Sequence, residues 1–435
     1  MNCNWQTMTL AEAGITLIDC DHKTPKAQES GFPYIGIPQL KDCRITLDGA
    51  RLICEEDFNH WRRKAKPQEH DIIMSRRCNP GETGYVTADL NIALGQNLVL
   101  LRSDGKTVYP PFLRWLTRGP YWWNQVNTFI NVGAVFESLK CADIPNFEVK
   151  VPSIEEQKKI CNCLSALDDK ISLNIKTNQT LEQMAQAIFK SWFVDFDPVK
   201  AKMNGEQPEG MDAATAALFP DKLVESELGL IPEGWEIKPI KDLCSKVQNG
   251  GTPKRSESSY WDDGDIPWLT SGEVRQSIIT SVENRITQLG LDKSSAKWVP
   301  ELSTLVALYG ATAGEVSLTS IPLTTNQAVC ALMPKKEHQW YNYLQLKSRV
   351  AELAGKAVGS AQQNISKGLV ESTEVLSVPE SLLEAFNAQV ENLFKLRICN
   401  LQESVELANL RDTLLPKLLS GEIELGETEE MAEVN

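Results

Sequence analysis

Two halves of this sequence follow the same order of residues. Trp5 and, further on, Thr24-Pro25 in the first half correspond to Trp235 and Thr252-Pro253 in the second. Weaker correspondences continue in the same order at an offset of roughly 230 residues, as expected for an internal duplication. The duplication predicts two copies of one domain. Each copy closes with a Val-Pro dipeptide that precedes a long helical pattern, Val151-Pro152 in the first and Val378-Pro379 in the second.

The length of 435 residues accommodates two domains of ordinary size together with long helices. No run of about 18 apolar residues occurs, and the polar start has no basic flank or apolar signal core, so we expect a soluble, cytoplasmic protein without a membrane partner. The 11 cysteines are scattered, and Cys161 and Cys163 cannot share one face of a helix. Reduced thiols are expected, and no metal site is predicted.

The net charge of −14 argues at first against a nucleic-acid ligand. Its distribution changes that interpretation, because residues 1–150 carry 17 basic and 17 acidic side chains and residues 226–378 carry 15 and 17. The acidity is concentrated in the helices, the linker and the tail. Each domain can therefore present a basic face, although a basic partner would have to supply most of any phosphate neutralisation.

The first helical pattern starts with a capping box formed by Ser153 and Glu156, and its apolar residues recur at heptad spacing. The second pattern repeats that register 226 residues later, and both are polar at their middles. A buried asparagine fixes register and partner, so we expect the two helices to pair with each other in one alignment, with Arg397 and Arg411 interrupting the second seam. Because the chain must return from the end of the first helix to begin the second domain, an antiparallel pair with one domain at each end is expected. The predicted seam consists of Ile160, Leu164, Leu167, Ile171, Asn174, Asn178, Leu181, Ile188, Phe386, Val390, Leu393, Asn400, Leu407, Leu414 and Leu418.

The segment between the halves is rich in proline, glycine and acidic residues, as is typical of a connector. It contains Asp195-Phe196-Asp197-Pro198-Val199, and the chain ends its second helix with Leu414-Leu415-Pro416-Lys417-Leu418. With the two Val-Pro helices, these phrases make the whole chain resemble the specificity subunit of type I restriction-modification systems. That family has two target recognition domains alternating with two helical repeats.

The resemblance implies a non-catalytic subunit that binds double-stranded DNA, each recognition domain reading one half of a bipartite, asymmetric site. It implies that the helical spacer sets the gap between half-sites and binds two modification subunits, which are adenine methyltransferases. Restriction/translocase subunits complete the assembly. No cofactor is expected in this chain, while S-adenosylmethionine, ATP and Mg are implied on the partner subunits.

The sequence agrees with a non-catalytic role, since Gly310-Ala311-Thr312-Ala313-Gly314 lacks the lysine of a phosphate-binding loop. Asn79-Pro80 is likewise not followed by the Pro-Tyr of an amino-methyltransferase motif. Among other classes, a protein-interaction scaffold without DNA function remains the main alternative. It would need the heptads but not duplicated domains with different polar loops. A pair of fused catalytic domains would be expected to repeat its reactive residues.

Candidate DNA contacts are the polar and basic loops within the domains, because arginine, lysine, asparagine and glutamine read base edges and phosphates. The copies differ at these positions while the framework recurs, which predicts unlike half-sites. In the first domain the candidates are Lys23, Thr24, Lys26, Arg62, Arg63, Lys64, Ser75, Arg76, Arg77, Asn79 and Tyr85. In the second they are Thr252, Lys254, Arg255, Ser256, Tyr260, Ser271, Arg275, Tyr309, Thr312, Gln362, Gln363 and Asn364.

The predicted fold class is α/β (α+β), with two tandem α/β recognition domains separated by two long helices that form an antiparallel coiled coil. Aromatic residues such as Trp122, Trp261 and Trp268 are expected in domain cores. The predicted boundaries are residues 1–152 for the first domain, 153–193 for the first helix, 194–225 for the linker, 226–378 for the second domain, 379–421 for the second helix and 422–435 for an acidic tail.

Overall fold

A computed structural model describes residues 5–132, 137–356 and 364–426. The chain divides into two compact units, one comprising Met1–Ile171 with Glu406–Asn435 and the other Ser172–Val405. Both divisions fall inside long helices, so each unit contains one copy of the repeated domain and part of each helix. The domain limits given above remain a prediction. Among the described residues, none of the helices is both long and apolar enough to cross a lipid bilayer.

The first unit contains short strands and three short helices, followed by the first long helix. Its main sheet has the strand order β2-β10-β7-β8, a second sheet has the order β6-β3-β9, and β1 pairs with β13. The strands are β1 Gln6–Thr9, β2 Ile15–Asp19, β3 Phe32–Ile35, β4 Leu40–Lys41, β5 Arg44–Ile45, β6 Arg51–Ile53, β7 Ile72–Ser75, β8 Thr83–Tyr85, β9 Ala93–Leu94, β10 Leu98–Ser103, β11 Asn131–Val132, β12 Glu137–Ser138 and β13 Glu148–Val151. The helices are α1 Glu55–Trp61, α2 Leu113–Leu116, α3 Pro120–Phe129 and α4 Ile154–Phe193, the last of which continues into the second unit.

The second unit contains the connector and the second domain. Its strands are β14 Leu223–Ser226, β15 Gly229–Pro232, β16 Glu236–Pro239, β17 Cys244–Asn249, β18 Ile266–Leu269, β19 Ile278–Ile279, β20 Asn284–Ile286, β21 Trp298–Val299, β22 Thr304–Ala307, β23 Val316–Thr319, β24 Leu323–Thr325, β25 Val329–Pro334 and β26 Glu374–Ser377. The helices are α5 Asp197–Met203, α6 Ala213–Ala217, α7 Gln288–Asp292, α8 Gln339–Lys347, α9 Val350–Gly355, α10 Lys367–Glu371 and α11 Glu380–Ser420, the last of which continues into the first unit.

The strand orders of the two units repeat each other. The second unit has the order β17-β25-β22-β23 with β19 added at the edge, and β20-β18-β24 with β21 added, while β16 pairs with β26. The parallel contact of β3 with β9 recurs between β18 and β24, so even this less common pairing is conserved between the copies. The internal duplication predicted from sequence is therefore present in the fold.

The core of each unit includes residues of both long helices. In the first unit, Trp115 and Phe147 pack in one cluster with Ile160 and Leu164 of α4 and with Leu418 of α11. In the second, aromatic side chains dominate the corresponding cluster, including Phe189 and Phe193 of α4, Phe386 of α11, and Trp235 and Tyr341. Burying large aromatic surfaces at these junctions joins each domain to its own part of the helices.

The long helices run antiparallel within the second unit. The side-chain amide of Asn174 donates to Glu403 at 2.7 Å and to the backbone oxygen of Asn400 at 3.3 Å, whereas Asn178 donates to the backbone of Arg397 at 3.1 Å. Later residues of α4 therefore contact earlier residues of α11, as in an antiparallel pair. The Asn400 amide returns a hydrogen bond to the side chain of Asn178 at 2.9 Å, so this polar layer is paired side by side as the sequence predicted.

Burial along the predicted seam is uneven. Leu167 is only half-buried, because the adjacent Asp168 takes the inward position with 3% of its surface exposed. The buried seam residues are Ile160, Leu164, Ile171, Asn174, Asn178, Leu181, Phe386, Val390, Asn400 and Leu418, and the half-buried ones are Leu167, Ile188, Leu393, Leu407 and Leu414. The arginines that interrupt the pattern point inward, with Arg397 2% and Arg411 7% exposed.

The carboxylate of Asp168 is the centre of a buried ionic cluster in the first unit. It accepts a hydrogen bond from Arg114 of α2 and another, at 2.6 Å, from Arg411 of α11. Guanidinium nitrogens of Arg44 and Arg118 lie within 3.8 and 3.9 Å of it. Burial disfavours the charged form of Arg411, but hydrogen bonds to Asp412 and Asp168 outweigh that cost and raise its pKa.

The corresponding position of the second unit is apolar. Counting 226 residues on from Asp168 and Arg114 gives Phe394 and Trp340, whose rings stack with centroids 4.4 Å apart and an interplanar angle of 11°. At this position, one copy of the domain therefore meets its helix through charges, and the other through aromatic rings.

Replacing Asp168 with alanine should destabilise the chain by roughly 3–5 kcal/mol, because the buried guanidinium groups would lose the charge that compensates them. Urea unfolding of the Asp168→Ala variant measures this loss. The matched control is Asp169→Ala at the exposed neighbouring position, which should stay within about 0.5 kcal/mol of the unmodified chain. Equal unfolding midpoints for the two variants would contradict a structural role for the cluster.

Candidate nucleic-acid interface

The Thr-Pro loop of the first domain, residues 22–27, follows strand β2 and is held by aromatic side chains. The phenol of Tyr34 and the indole of Trp61 both donate to the backbone oxygen of Lys23, at 3.2 and 3.1 Å. A guanidinium nitrogen of Arg51 donates to Pro25 at 3.2 Å. These bonds fix the backbone while Lys23, Thr24 and Lys26 remain exposed, so the loop presents basic and hydroxyl groups from a rigid support.

The Thr-Pro loop of the second domain, residues 250–256, is held in the same manner. The indole of the buried Trp268 donates to Gly251 at 2.9 Å, and that of Trp261 donates to Lys254 at 3.2 Å. A Cβ atom at Gly250 would lie 1.9 Å from the backbone oxygen of Thr325, so only glycine fits where the loop leaves its strand. Tyr34 and Trp268 occupy equivalent strands, so the support is repeated although the donor groups differ.

A glutamine-bearing turn meets the Thr-Pro loop in each domain. In the first, an imidazole nitrogen of His22 lies 3.1 Å from the backbone oxygen of Gln96. In the second, the Thr252 hydroxyl bonds the side-chain oxygen of Gln327 at 2.6 Å. Both turns precede the strand, β10 or β25, that pairs with the strand leading into the loop. Each domain thus brings two polar loops to one end of its main sheet.

The first domain has an open cavity of about 430 Å³ at this place. Its polar lining includes Thr24, Tyr34, Arg51, Gln96 and Asn97. On the wall of a cleft, side-chain amides can donate to and accept from base edges, and a guanidinium can donate to them. Of these residues only Thr24 was predicted from sequence; the others are separated from it in the chain and come together through the sheet.

Four of the predicted contacts are less accessible than the sequence suggested. Ser75 is fully buried and its hydroxyl donates to the backbone of Arg77, while Arg76 is 9% exposed and Thr312 5% exposed. Tyr85 is half-buried, bonded to His70 at 2.6 Å and covered by a guanidinium. These four residues lie at the ends of short buried strands or just beyond them, so their side chains pack largely within the domain. Their role as DNA contacts stays a prediction.

The remaining candidates are not all in one place. Arg62 lies over the ring of Phe58 at 4.6 Å, and burial lowers the pKa of its guanidinium. Lys64 points back to the backbone oxygen of Cys20 at 3.2 Å. The exposed members are Lys23, Thr24, Lys26, Arg63, Lys64, Arg77, Asn79, Lys254, Arg255, Ser256, Arg275, Tyr309 and Asn364, and the half-buried ones are Arg62, Thr252, Tyr260 and Ser271. Gln362 and Gln363 lie outside the described residues.

One group in the first domain has the composition of a metal site. Potential ligand atoms of Asp19, Cys20 and His22 lie within 4.8 Å of one another. Burial, and then the nearby carboxylate of Asp19, raise the pKa of the Cys20 thiol to about 11. The thiol donates to the backbone of Gly95 at 3.0 Å. A protonated, hydrogen-bonded thiol is a poor ligand, so the geometry favours a structural role in joining the two loops.

Comparison with known proteins now identifies the family. A family model described as the type I restriction modification DNA specificity domain matches residues 2–183 and again residues 232–381. The two matches coincide with the two copies of the repeat and cover more than half of the chain. The chain belongs to the type I restriction-modification specificity family. The resemblance stated from the sequence is therefore confirmed, as is the fold class of α/β domains with two long paired helices.

Individual relatives of this specificity-family chain agree. It is 30% identical over 404 residues to the HindI specificity subunit of Haemophilus influenzae, covering 81% of this chain and 86% of that protein. It is 28% identical over 302 residues to the MjaIX specificity subunit of Methanocaldococcus jannaschii, covering 68% and 66%. The crystal structure of the type I system S subunit from M. genitalium matches in fold with a TM-score of 0.58, at 15% identity over 96% of both chains.

Removing the indole donor of Trp268 should loosen the second Thr-Pro loop without unfolding the domain. The Trp268→Phe variant keeps an aromatic ring in the core but loses the hydrogen bond to Gly251, a cost of about 1 kcal/mol. Hydrogen–deuterium exchange of residues 250–256 should become faster. Trp298→Phe, at a side chain with 45% of its surface exposed, serves as the control, and unchanged exchange in both variants would show that the indole does not hold the loop.

Proposed function

We propose that this chain is the sequence-specificity subunit of a type I restriction-modification complex, in which each recognition domain reads one half of a bipartite DNA site. The observation that carries this proposal is that the same support for a Thr-Pro loop recurs in both domains while the side chains beside the loop differ. Both domains fix a Thr-Pro loop with an aromatic donor, yet the groups beside it differ, with His22 and Arg51 in the first domain and Arg255, which lies over Trp261, in the second. One scaffold with two sets of polar groups suits an asymmetric site.

The long helices would set the gap between the half-sites and bind two modification subunits. Continuous helices of 40 and 41 residues have an axial rise of 1.5 Å per residue, so they can act as a spacer. A register fixed by asparagine and buried ion pairs allows one alignment of the pair. The spacer length would therefore be a property of the sequence and not of the bound DNA.

In this proposal the partner subunits carry out the catalytic reactions. The chain supplies no catalytic group and no cofactor, while the modification subunits bring S-adenosylmethionine and methylate adenine, and the restriction/translocase subunits bring ATP and Mg. The near-neutral charge of each domain supports the same division of labour, because counterion release by a basic partner would provide most of the affinity. Selection among sequences then depends on the exposed loops of this chain.

Sequencing of modified bases in cells tests the proposal directly. Cells carrying this chain and its modification subunits should show methylated adenine in one gapped, asymmetric motif, and deletion of this chain should remove it. Purification of the assembled complex is the control for expression. A methylation pattern that does not change on deletion, although the complex assembles, would favour the alternative of a protein-interaction scaffold.

Variants in one domain should change only one half-site. Replacing Arg77 with alanine removes an exposed cation from the first domain, and replacing Tyr309 removes a side chain with 42% of its surface exposed from the second. Arg77→Ala should reduce discrimination in one half of the motif and Tyr309→Ala in the other, by roughly 5- to 150-fold for a lost base contact. The readout is methylation of plasmids carrying single-base changes. Lys106→Ala, at a side chain 85% exposed, should leave both halves unchanged, and a loss spread over both halves would contradict separate readers.

A further inference from the structure

The exposed arginine of the second Thr-Pro loop is held by two tryptophan rings. The guanidinium carbon of Arg255 lies 3.9 Å from the ring centroid of Trp261 and 4.8 Å from that of Trp268. The two rings meet edge to face at 90°, with centroids 5.0 Å apart. A cation over an indole face is attracted to the ring quadrupole, so the guanidinium is held in position although the residue is exposed.

The segment that carries these rings is itself anchored. The indole of Trp261 donates to Lys254 at 3.2 Å, and the backbone and hydroxyl of Thr287 donate to Tyr260 and Ser259 at 3.0 and 2.8 Å. A Cβ atom at Gly290 would lie 2.6 Å from the backbone oxygen of Tyr260, so α7 packs tightly against the segment. The position of Arg255 therefore depends on the domain and not on a free loop.

The hydrogen-bond donors of Arg255 are not used within the described part of the chain. No carboxylate there lies within salt-bridge distance of its guanidinium, although Glu257 and Asp262 are close in sequence. The two cation–π contacts attract the guanidinium to the rings without using its N–H groups in hydrogen bonds to protein oxygen atoms, so its donors remain available. The guanidinium of Arg255 is exposed and held in position, and its N–H groups are not used within the described residues. It is therefore suited to bind two neighbouring acceptors of matching geometry.

We infer that Arg255 is a specificity-determining residue that reads a guanine in the half-site of the second domain. Guanine presents two acceptors, O6 and N7, in the major groove, and arginine binds both at once. Holding the side chain in place before binding reduces the entropy lost on contact. The first domain has Ala27 at the equivalent position, next after Lys26 of its own Thr-Pro loop, so this reader belongs to one half-site only. The inference rests on the proposed function.

The test compares Arg255→Lys with Arg255→Ala in the complete complex with its modification subunits. The lysine variant keeps the charge but loses the planar fork. DNA duplexes in which each base pair of the motif is changed singly are used to measure methylation rate and affinity. The unmodified complex should lose roughly 5- to 150-fold when one G·C pair of the second half-site is replaced. Both variants should lose that discrimination and keep the discrimination of the first half-site.

Lys241→Ala is the matched control, because Lys241 is exposed and precedes β17, whose far end leads into the loop. It should leave every position unchanged. A phosphate contact would give a different result: Arg255→Ala would weaken binding to all duplexes alike, whereas Arg255→Lys, which keeps the charge, would retain most of the affinity. This outcome would overturn the inference. Retained discrimination at every G·C pair, or a second half-site without a G·C pair, would overturn it as well.

Failure of this inference can be separated from failure of the proposed function. If the unmodified chain directs methylation to a gapped motif but the Arg255 variants do not relax one position, the function stands and the assignment of Arg255 fails. If the unmodified chain directs no motif, the proposed function itself fails. Circular dichroism of both variants at rising temperature checks that the domain stays folded.

Discussion

The fold depends on polar side chains buried along two long helices. A purely apolar seam would allow the helices to slide by a heptad, because each leucine finds an equivalent slot one repeat away. Asn174 and Asn178 find their partners in one alignment only within the second unit, and the same holds for Asp168 and Arg411 within the first. These groups cost desolvation energy, but leaving any of them unpaired costs more. Each domain is then joined to its part of the helices by a large apolar cluster.

The recognition loops show a similar division between support and variation. Two of the aromatic donors that hold the Thr-Pro loops, Tyr34 and Trp268, come from the equivalent strands β3 and β18, so they are set by the repeated framework. The side chains that leave the loops toward solvent are free to differ without disturbing the core. Function can therefore change at a few exposed positions while the stability of each domain is preserved.

Much of the architecture could be predicted from the sequence, since duplication, helix caps and heptads are local or periodic signals. The sequence pattern predicts short strands at residues 71–74, 97–102, 304–308 and 328–333, and these lie within one residue of β7, β10, β22 and β25. The pattern also predicts one helix over residues 341–352, but the structure divides this segment into α8 and α9, since the helix is interrupted at Ser348 and Arg349.

The site was predictable only in part. Lys23, Thr24 and Thr252 stand out in the duplication, but their partners Tyr34, Trp61, Gln96 and Gln327 are brought to them by sheet pairing and carry no local signal. The burial of Ser75 and Arg76 was unpredictable for the same reason, since a polar residue at the end of a strand can point either way. The inward orientation of the Asp168 side chain could not be predicted from the sequence either, because its charge is compensated by Arg114, which lies far away in the sequence.

The ionic junction of one domain and the aromatic junction of the other limit how such chains can be recombined. A hybrid that placed a second-type domain on the first-type helices would bring Trp340 toward the carboxylate of Asp168, in place of Arg114. The charge would then lose one of its two hydrogen-bonding guanidinium groups and face an indole that cannot neutralise it. Exchange of recognition domains between the two positions thus requires that the junction residues on the helices be exchanged with them. The unit that can be exchanged is therefore larger than the recognition domain alone.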